Sequence, residues 1–184
     1  SGITDLTGLE YAVNLRTLYL GGNQISDITA LAGLTGLQVL DLGGNQISDI
    51  TTLAALTGLQ YLYLYINQIS DISALASLTA LQNLDIGGNQ ISDISDLAGL
   101  TSLQDLSLWG NQISDIAVLA GFTNLQTLIL KDNQISDISA LVANTGLGDG
   151  DFVYLYNNLL DTTPGSEDML NINALEARGV TVYY

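Results

Sequence analysis

Three aspartates, Asp41 and Asp85 at one repeat position and Asp105 at another, lie among the tyrosines Tyr19, Tyr61, Tyr63 and Tyr65 and the single tryptophan, Trp109. Paired carboxylates can hydrolyse a glycosidic bond, one acting as acid and the other as base or nucleophile. Such chemistry needs a cleft and an acid with a perturbed pKa. The spacing predicts Asp41 and Asp85 on strands two apart, about 10 Å from each other, just beyond the inverting range. Neither is expected to be raised by burial, so no enzymatic activity and no cofactor are expected. A second acidic group, Asp149 and Asp151 in "GDGDF" with Asp161 in "LLDTTPGSED", offers oxygen ligands suited to calcium. It lacks the full loop pattern of a calcium hand, so the favoured reading is a polar turn and no metal site.

Composition removes other chemistries. The chain has no cysteine and no histidine, which excludes disulfides, the usual zinc sites and any Ser-His-Asp triad. Lysine plus arginine number 3 against 19 acids, a formal charge of −16. Nucleic acid is bound by neutralising phosphate with basic residues, so it is not an expected partner, and neither is an anionic membrane surface. The charge favours a basic partner. No apolar run of about 18 residues is present, so no membrane insertion is expected. The start "SGITDLTGLE" has no signal-peptide pattern, which leaves the compartment open.

The elements that must position these residues come from a repeat. "NQISDI" begins at Asn23 and returns at Asn45, Asn67, Asn89, Asn111 and Asn133, every 22 positions. A catalytic motif is needed once, whereas a motif present six times holds something up. Within "LTGLQVLDLGGNQISDITTLAA" from Leu34, the alternation around Leu40 and Leu42 predicts a short strand. Apolar residues three apart in "ISDITTLAAL" suit a 3₁₀-like turn. A period in the twenties means stacked coils, each too small to bury its own apolar face.

The pattern "LxxLxLxxNxIxDIxxLxxL" resembles the 22-residue leucine-rich repeats of bacterial internalin-like proteins, and the likeness runs from Ser1 to about Leu160. The resemblance implies an α/β solenoid: a curved stack with a parallel sheet on its concave face, 3₁₀ or loop segments on the convex face, and an extracellular or cell-surface location. One domain, residues 1–184, is expected: a truncated first repeat at 1–11, six repeats at 12–141, a longer irregular repeat at 142–165 and a cap at 166–184. Ser1 falls in the Asn place, so the chain is expected to start in mid-coil, with a cap or further repeats removed. Glu167 to Arg178 reads as a capping helix with Ser166 as N-cap, Arg178 in its last turn and Gly179 beyond it. "VTVYY" reads as an eighth strand.

The fixed letters then have physical roles. Each Asn sits where the chain leaves a strand and must be satisfied by backbone groups of its own and the neighbouring coil. Asp27, Asp49, Asp71, Asp93, Asp115 and Asp137 form a column, read as caps on the helical turns with the preceding serines. The alternative is a cation-binding ladder, because neighbouring carboxylates one strand spacing apart repel.

The varying letters point away from the core, onto the concave surface. They include Tyr61, Tyr63 and Tyr65 on one strand, Trp109 two strands on, and Phe152, Tyr154 and Tyr156 near the C-terminal end. Glycines such as Gly43 and Gly87 are expected to leave gaps that a partner's side chains enter. Clustered exposed aromatics mark interaction sites, although strands also favour aromatics for their own sake. The expected function is a non-catalytic, monomeric recognition module that binds a protein through Tyr19, Asp41, Tyr61, Tyr63, Tyr65, Asp85, Asp105, Trp109, Tyr154 and Tyr156. A cell-envelope spacer whose face binds nothing, and a carbohydrate-binding surface, remain alternatives.

Overall fold

The computed structural model describes residues 2–184; the register assigned to Ser1 lies outside them. Eight short strands form one parallel sheet in chain order. They are β1 (Thr17–Tyr19), β2 (Val39–Asp41), β3 (Tyr61–Tyr63), β4 (Asn83–Asp85), β5 (Asp105–Ser107), β6 (Thr127–Ile129), β7 (Phe152–Tyr154) and β8 (Thr181–Tyr183). Each is three residues long, yet the ladder runs further. Leu20 N–H donates to Asp41 O at 2.7 Å and Gly22 N–H to Gly43 O at 2.8 Å, and later coils repeat both bonds.

The register follows the repeat: Thr17, Val39, Tyr61, Asn83, Asp105, Thr127 and Phe152 pair in one row. The opposite side of each coil is a 3₁₀ turn, as at Thr51–Ala55, Ser73–Ser77 and Ser95–Gly99. The last of these segments, α1 (Ser139–Ala143), closes as one α-helical turn. Between the two layers lies a single ladder of leucine and isoleucine, with Leu34, Leu56, Leu78, Leu100 and Phe122 stacked in one buried column.

The asparagines bind the coils together. Asn89 Nδ2 donates to Ile86 O of its own coil at 3.0 Å and to Leu64 O of the preceding coil at 3.0 Å, and Asn89 Oδ1 accepts from Ile69 N–H at 3.0 Å. The equivalents from Asn45 to Asn133 repeat this pattern. Asn158 ends the series 25 residues after Asn133, on Leu130 O, Leu155 O and Ile135 N–H.

The longer repeat is absorbed by a residue that the repeat did not single out. Asn144 is fully buried. It donates to Leu119 O and Phe122 O at 2.8 and 3.0 Å and accepts from Gly146 N–H at 2.8 Å. The capping helix, α2, spans Glu167–Glu176 with Ser166 Oγ accepting from Met169 N–H. It ends two residues before the expected Arg178. There Gly179, at φ 93°, turns the chain, and Val180 N–H returns to Leu175 O, as in a Schellman stop. Arg178 instead reaches sideways to Asn144 O and Val142 O, tying the cap to α1.

The asparagine bonds predict a position-dependent loss. Asn89→Ala should destabilise by about 1–3 kcal/mol in urea unfolding, because it leaves buried backbone groups unpaired. Asn23→Ala should cost less, since Asn23 is only half-buried and water can replace it. Equal, negligible losses would place the column in solvent and refute this register.

Candidate functional site

The outward residues of the strands form one face. Tyr61 and Tyr63 of β3 stand beside Asn83 and Asp85 of β4, and Asp41 of β2 is on the other side of Tyr63. The order Asp41, Tyr63, Asp85 is therefore as the repeat requires. Both carboxylates also hold the turn that follows. Asp41 Oδ1 accepts from Gly43 N–H at 2.9 Å and Asp85 Oδ1 from Gly87 N–H at 3.0 Å. Asp105 Oδ2 accepts from Asn83 Nδ2 at 2.5 Å.

The electrostatics depart from expectation at Asp85. Burial pushes its pKa up, opposed by the Gly87 N–H and by Ser107. A carboxylate half-buried between Tyr63 and Ser107 is thus a costly charge, which repeat spacing could not reveal. Tyr63 is also raised, first by burial and then by Tyr19, Tyr61 and the nearby acids, and Tyr65 by burial and then by Asp41 and Asp85. Even so, Asp41 and Asp85 stay two strands apart with a tyrosine between them, a separation of about 10 Å that does not fit paired-carboxylate hydrolysis.

The expected glycine gaps are closed. The Tyr65 ring lies directly over Gly43, and the Trp109 ring over Gly87, so a Cβ at either glycine would collide with it. These glycines are seats for the next coil's aromatic ring. Trp109 is further held by Lys131, whose Nζ lies 5.5 Å from its ring centre and 5.4 Å from that of Tyr156. Tyr154 stacks on Tyr183 at 4.6 Å and 12°, and Tyr183 extends the same row. Tyr19, at the other end, is 68% exposed.

One residue was overlooked. The position before each asparagine takes a left-handed backbone, with φ between 51° and 68° at Gly22, Gly44, Ile66, Gly88, Gly110, Asp132 and Asn157. Glycine, Asp and Asn adopt this at little cost, whereas a β-branched residue there is strained. Ile66 is also 52% exposed, beside Tyr65. The signal was in the sequence, as "YINQ" where three other coils read "GGNQ".

The remaining acids are accounted for by backbone. In the Asp column, Oδ1 of Asp27, Asp49, Asp71, Asp93, Asp115 and Asp137 accepts the N–H two residues on, at 2.7–2.9 Å. The cap is one residue displaced from expectation: the N-cap position is an isoleucine, as at Ile50, and the serines before each Asp make no such bond. At Asp27 the bonds from Thr29 outweigh the opposing charges of Asp49 and Asp5, and its pKa falls. The repulsion is therefore answered by donors within the coil. Asp151 Oδ2 accepts from Gly148 N–H and Asp161 Oδ1 from Thr163 N–H, while Asp149 is exposed. Among the described residues no three acidic groups converge as a metal site would require.

The family model "Leucine Rich repeats (2 copies)" matches residues 13–55, 57–99 and 101–143, more than half of the chain. The chain belongs to the leucine-rich repeat family. Its solved likenesses place this repeat protein in the internalin-like class. Internalin C2 of Listeria monocytogenes is 38% identical with a TM-score of 0.87, over 99% of this chain and 77% of that one. An internalin (inlF) of the same species is 35% identical with a TM-score of 0.73, over 99% of this chain and 64% of that one. The repeat ectodomain of the plant receptor kinase GASSHO1/SCHENGEN3 from Arabidopsis thaliana is 26% identical with a TM-score of 0.72, over 86% of this chain and 20% of that one. No curated protein matches the chain in a whole-sequence comparison. Leucine-rich repeat proteins mediate protein–protein interaction, and no helix among the described residues is long and apolar enough to cross a membrane.

Two expected outcomes test this geometry. Asp27, Asp49, Asp71, Asp93 and Asp137 all have pKa values lowered by bonds from the residue two positions on. A lowered carboxylate stabilises the fold above its unfolded value, 3.8, and loses that contribution as pH falls further. Stability in urea should therefore decline below about pH 4, and Asp49→Asn with Asp93→Asn should flatten the decline. An unaltered slope would mean that other groups set it. Separately, Gly87→Ala should push the Trp109 ring off the sheet and shift its fluorescence to the red; an unchanged spectrum would refute the seating.

Proposed function

We propose that the concave sheet face is a protein-recognition surface, centred on Tyr61, Tyr63, Tyr65 and Ile66, in a bacterial surface or secreted protein. The observation that carries this reading is Ile66. Its backbone is left-handed, a conformation that costs a residue with a Cβ roughly 1–2 kcal/mol, and its side chain is largely exposed. Its Cγ1 reaches the backbone at Gly88 beside the edge of the Trp109 ring, yet about half of the residue stays open to solvent next to Tyr65. Strain of this kind gathers at binding sites. Asp41 and Asp85 border the same tyrosines, and the chain's charge of −16 makes a basic partner the natural complement. The plant ectodomain noted above was solved in complex with Casparian strip integrity factor 2, which lends support to a face that takes a protein or peptide.

The partner can be sought by affinity capture with this chain as bait and Tyr63→Ala as control, followed by titration of the purified pair. Tyr63→Ala should weaken binding by about 2 kcal/mol or more, roughly thirtyfold. Ile66→Asn should weaken it too, while leaving stability unchanged or higher by up to ~1 kcal/mol, since Asn suits that turn. If Ile66→Asn instead lowers stability, the side chain is there for packing, and the argument from strain fails. Binding that ignores both substitutions refutes the concave reading. Saturable binding of simple sugars at this face would favour a carbohydrate surface.

A further inference from the structure

The sheet face contains a depression of about 160 Å³ between Tyr63 and Ile129, with Asn83, Asp85, Asp105 and Ser107 around it. That is room for about five waters at the liquid's ~30 Å³ each, or for one long side chain. Its walls are of two kinds. Tyr63 and Ile129 offer apolar surface, and the two aspartates offer charge. Asp85 and Asp105 lie on neighbouring strands, two residues out of step, so their Cα atoms are about 8 Å apart.

No cation answers the charge there. Asp85 has one backbone donor and Asp105 one amide donor, and neither aspartate has an ion pair among the described residues. The buried Ser107 hydroxyl lies close enough to ease the Asp85 charge but makes no hydrogen bond of normal geometry, so it does not neutralise it. The chain's three basic residues are engaged elsewhere. Arg16 donates to Gly36 O, Arg178 to carbonyls beside the cap, and Lys131 lies against Trp109 and Tyr156.

We infer that this depression is an anchor pocket for one cationic side chain, a lysine or arginine of the protein partner. The inference rests on the reading of the sheet face as the binding face. The aliphatic stem of such a residue lies along Tyr63 and Ile129, and its head sits between the two carboxylates. An anion is repelled there, and a neutral apolar group leaves both charges dry. Burial already disfavours the ionised form of Asp85, and an arriving cation relieves that cost. A buried charge gains most from a partner when it lacks one beforehand.

The test is an amide-resolved NMR titration of the whole chain at low salt. The probes are Nα-acetyl-lysine methylamide and Nα-acetyl-arginine methylamide, with the norleucine analogue as an uncharged control. The cationic probes should give saturable shifts centred on Asp85, Asp105 and Ser107. These should weaken at least fivefold in Asp85→Asn/Asp105→Asn, and norleucine should give none. Asn keeps an oxygen for the Gly87 N–H and for Asn83, so the variant should fold; should urea unfolding show otherwise, Asp85→Asn alone decides by the same titration. Shifts spread evenly along the exposed aspartate column, an equal response to norleucine, or an unchanged response in the variant would each overturn the pocket. In the partner complex, sensitivity to Tyr63→Ala without sensitivity to the Asp variant removes the pocket and leaves the binding face. Indifference to both removes the face itself.

Discussion

At every strand exit this chain must turn without leaving a buried peptide group dry. Water is excluded between coils, and a missing bond there costs more than a made bond returns. Asparagine answers this because one amide both donates and accepts. Its oxygen takes the Ile N–H of the preceding coil, and its nitrogen gives to carbonyls of both coils. Each interior coil therefore depends on the one after it for an acceptor and supplies donors to the one before. The leucine ladder gives the stack its stability, but the asparagines fix how one coil sits on the next. Everything on the open face inherits its position from that spacing.

Because the fixed letters do this work, the face is free to carry strain and charge. Ile66 occupies a turn that glycine fills in four other coils. Asp85 keeps a half-buried charge, although its backbone bond to Gly87 would survive replacement by asparagine. The Asp column on the opposite side shows the contrasting case. There the carboxylates are exposed and each is tied to the N–H two residues on, so charge and scaffold agree. The face is where they disagree.

Most of the fold was legible in the sequence for a physical reason. A strict period of 22 sets register without any need to predict pairing, so rows such as Asp41, Tyr63 and Asp85 could be written down in advance. What the period could not convey was where side chains lean. Tyr65 and Trp109 lie back over Gly43 and Gly87, because a ring beside a bare backbone gains contact area by covering it. Arg178 falls just past the helix because the chain turns at Gly179, and its side chain then meets two carbonyls near α1. Asn144 went unnoticed because it lies outside the repeat and works only once.

The ladder also makes the coil a unit of inheritance. Each coil presents the same donors and acceptors to its neighbours above and below, so a whole 22-residue module can be duplicated or lost while the junction is rebuilt from identical parts. Such an event leaves every side chain's chemistry intact but slides the two halves of the face relative to each other by one strand spacing, about 4.8 Å. Length variation among proteins built this way thus becomes a ruler: it changes the distance between Tyr63 and Trp109 in fixed steps, and with it the shape of whatever can lie across them.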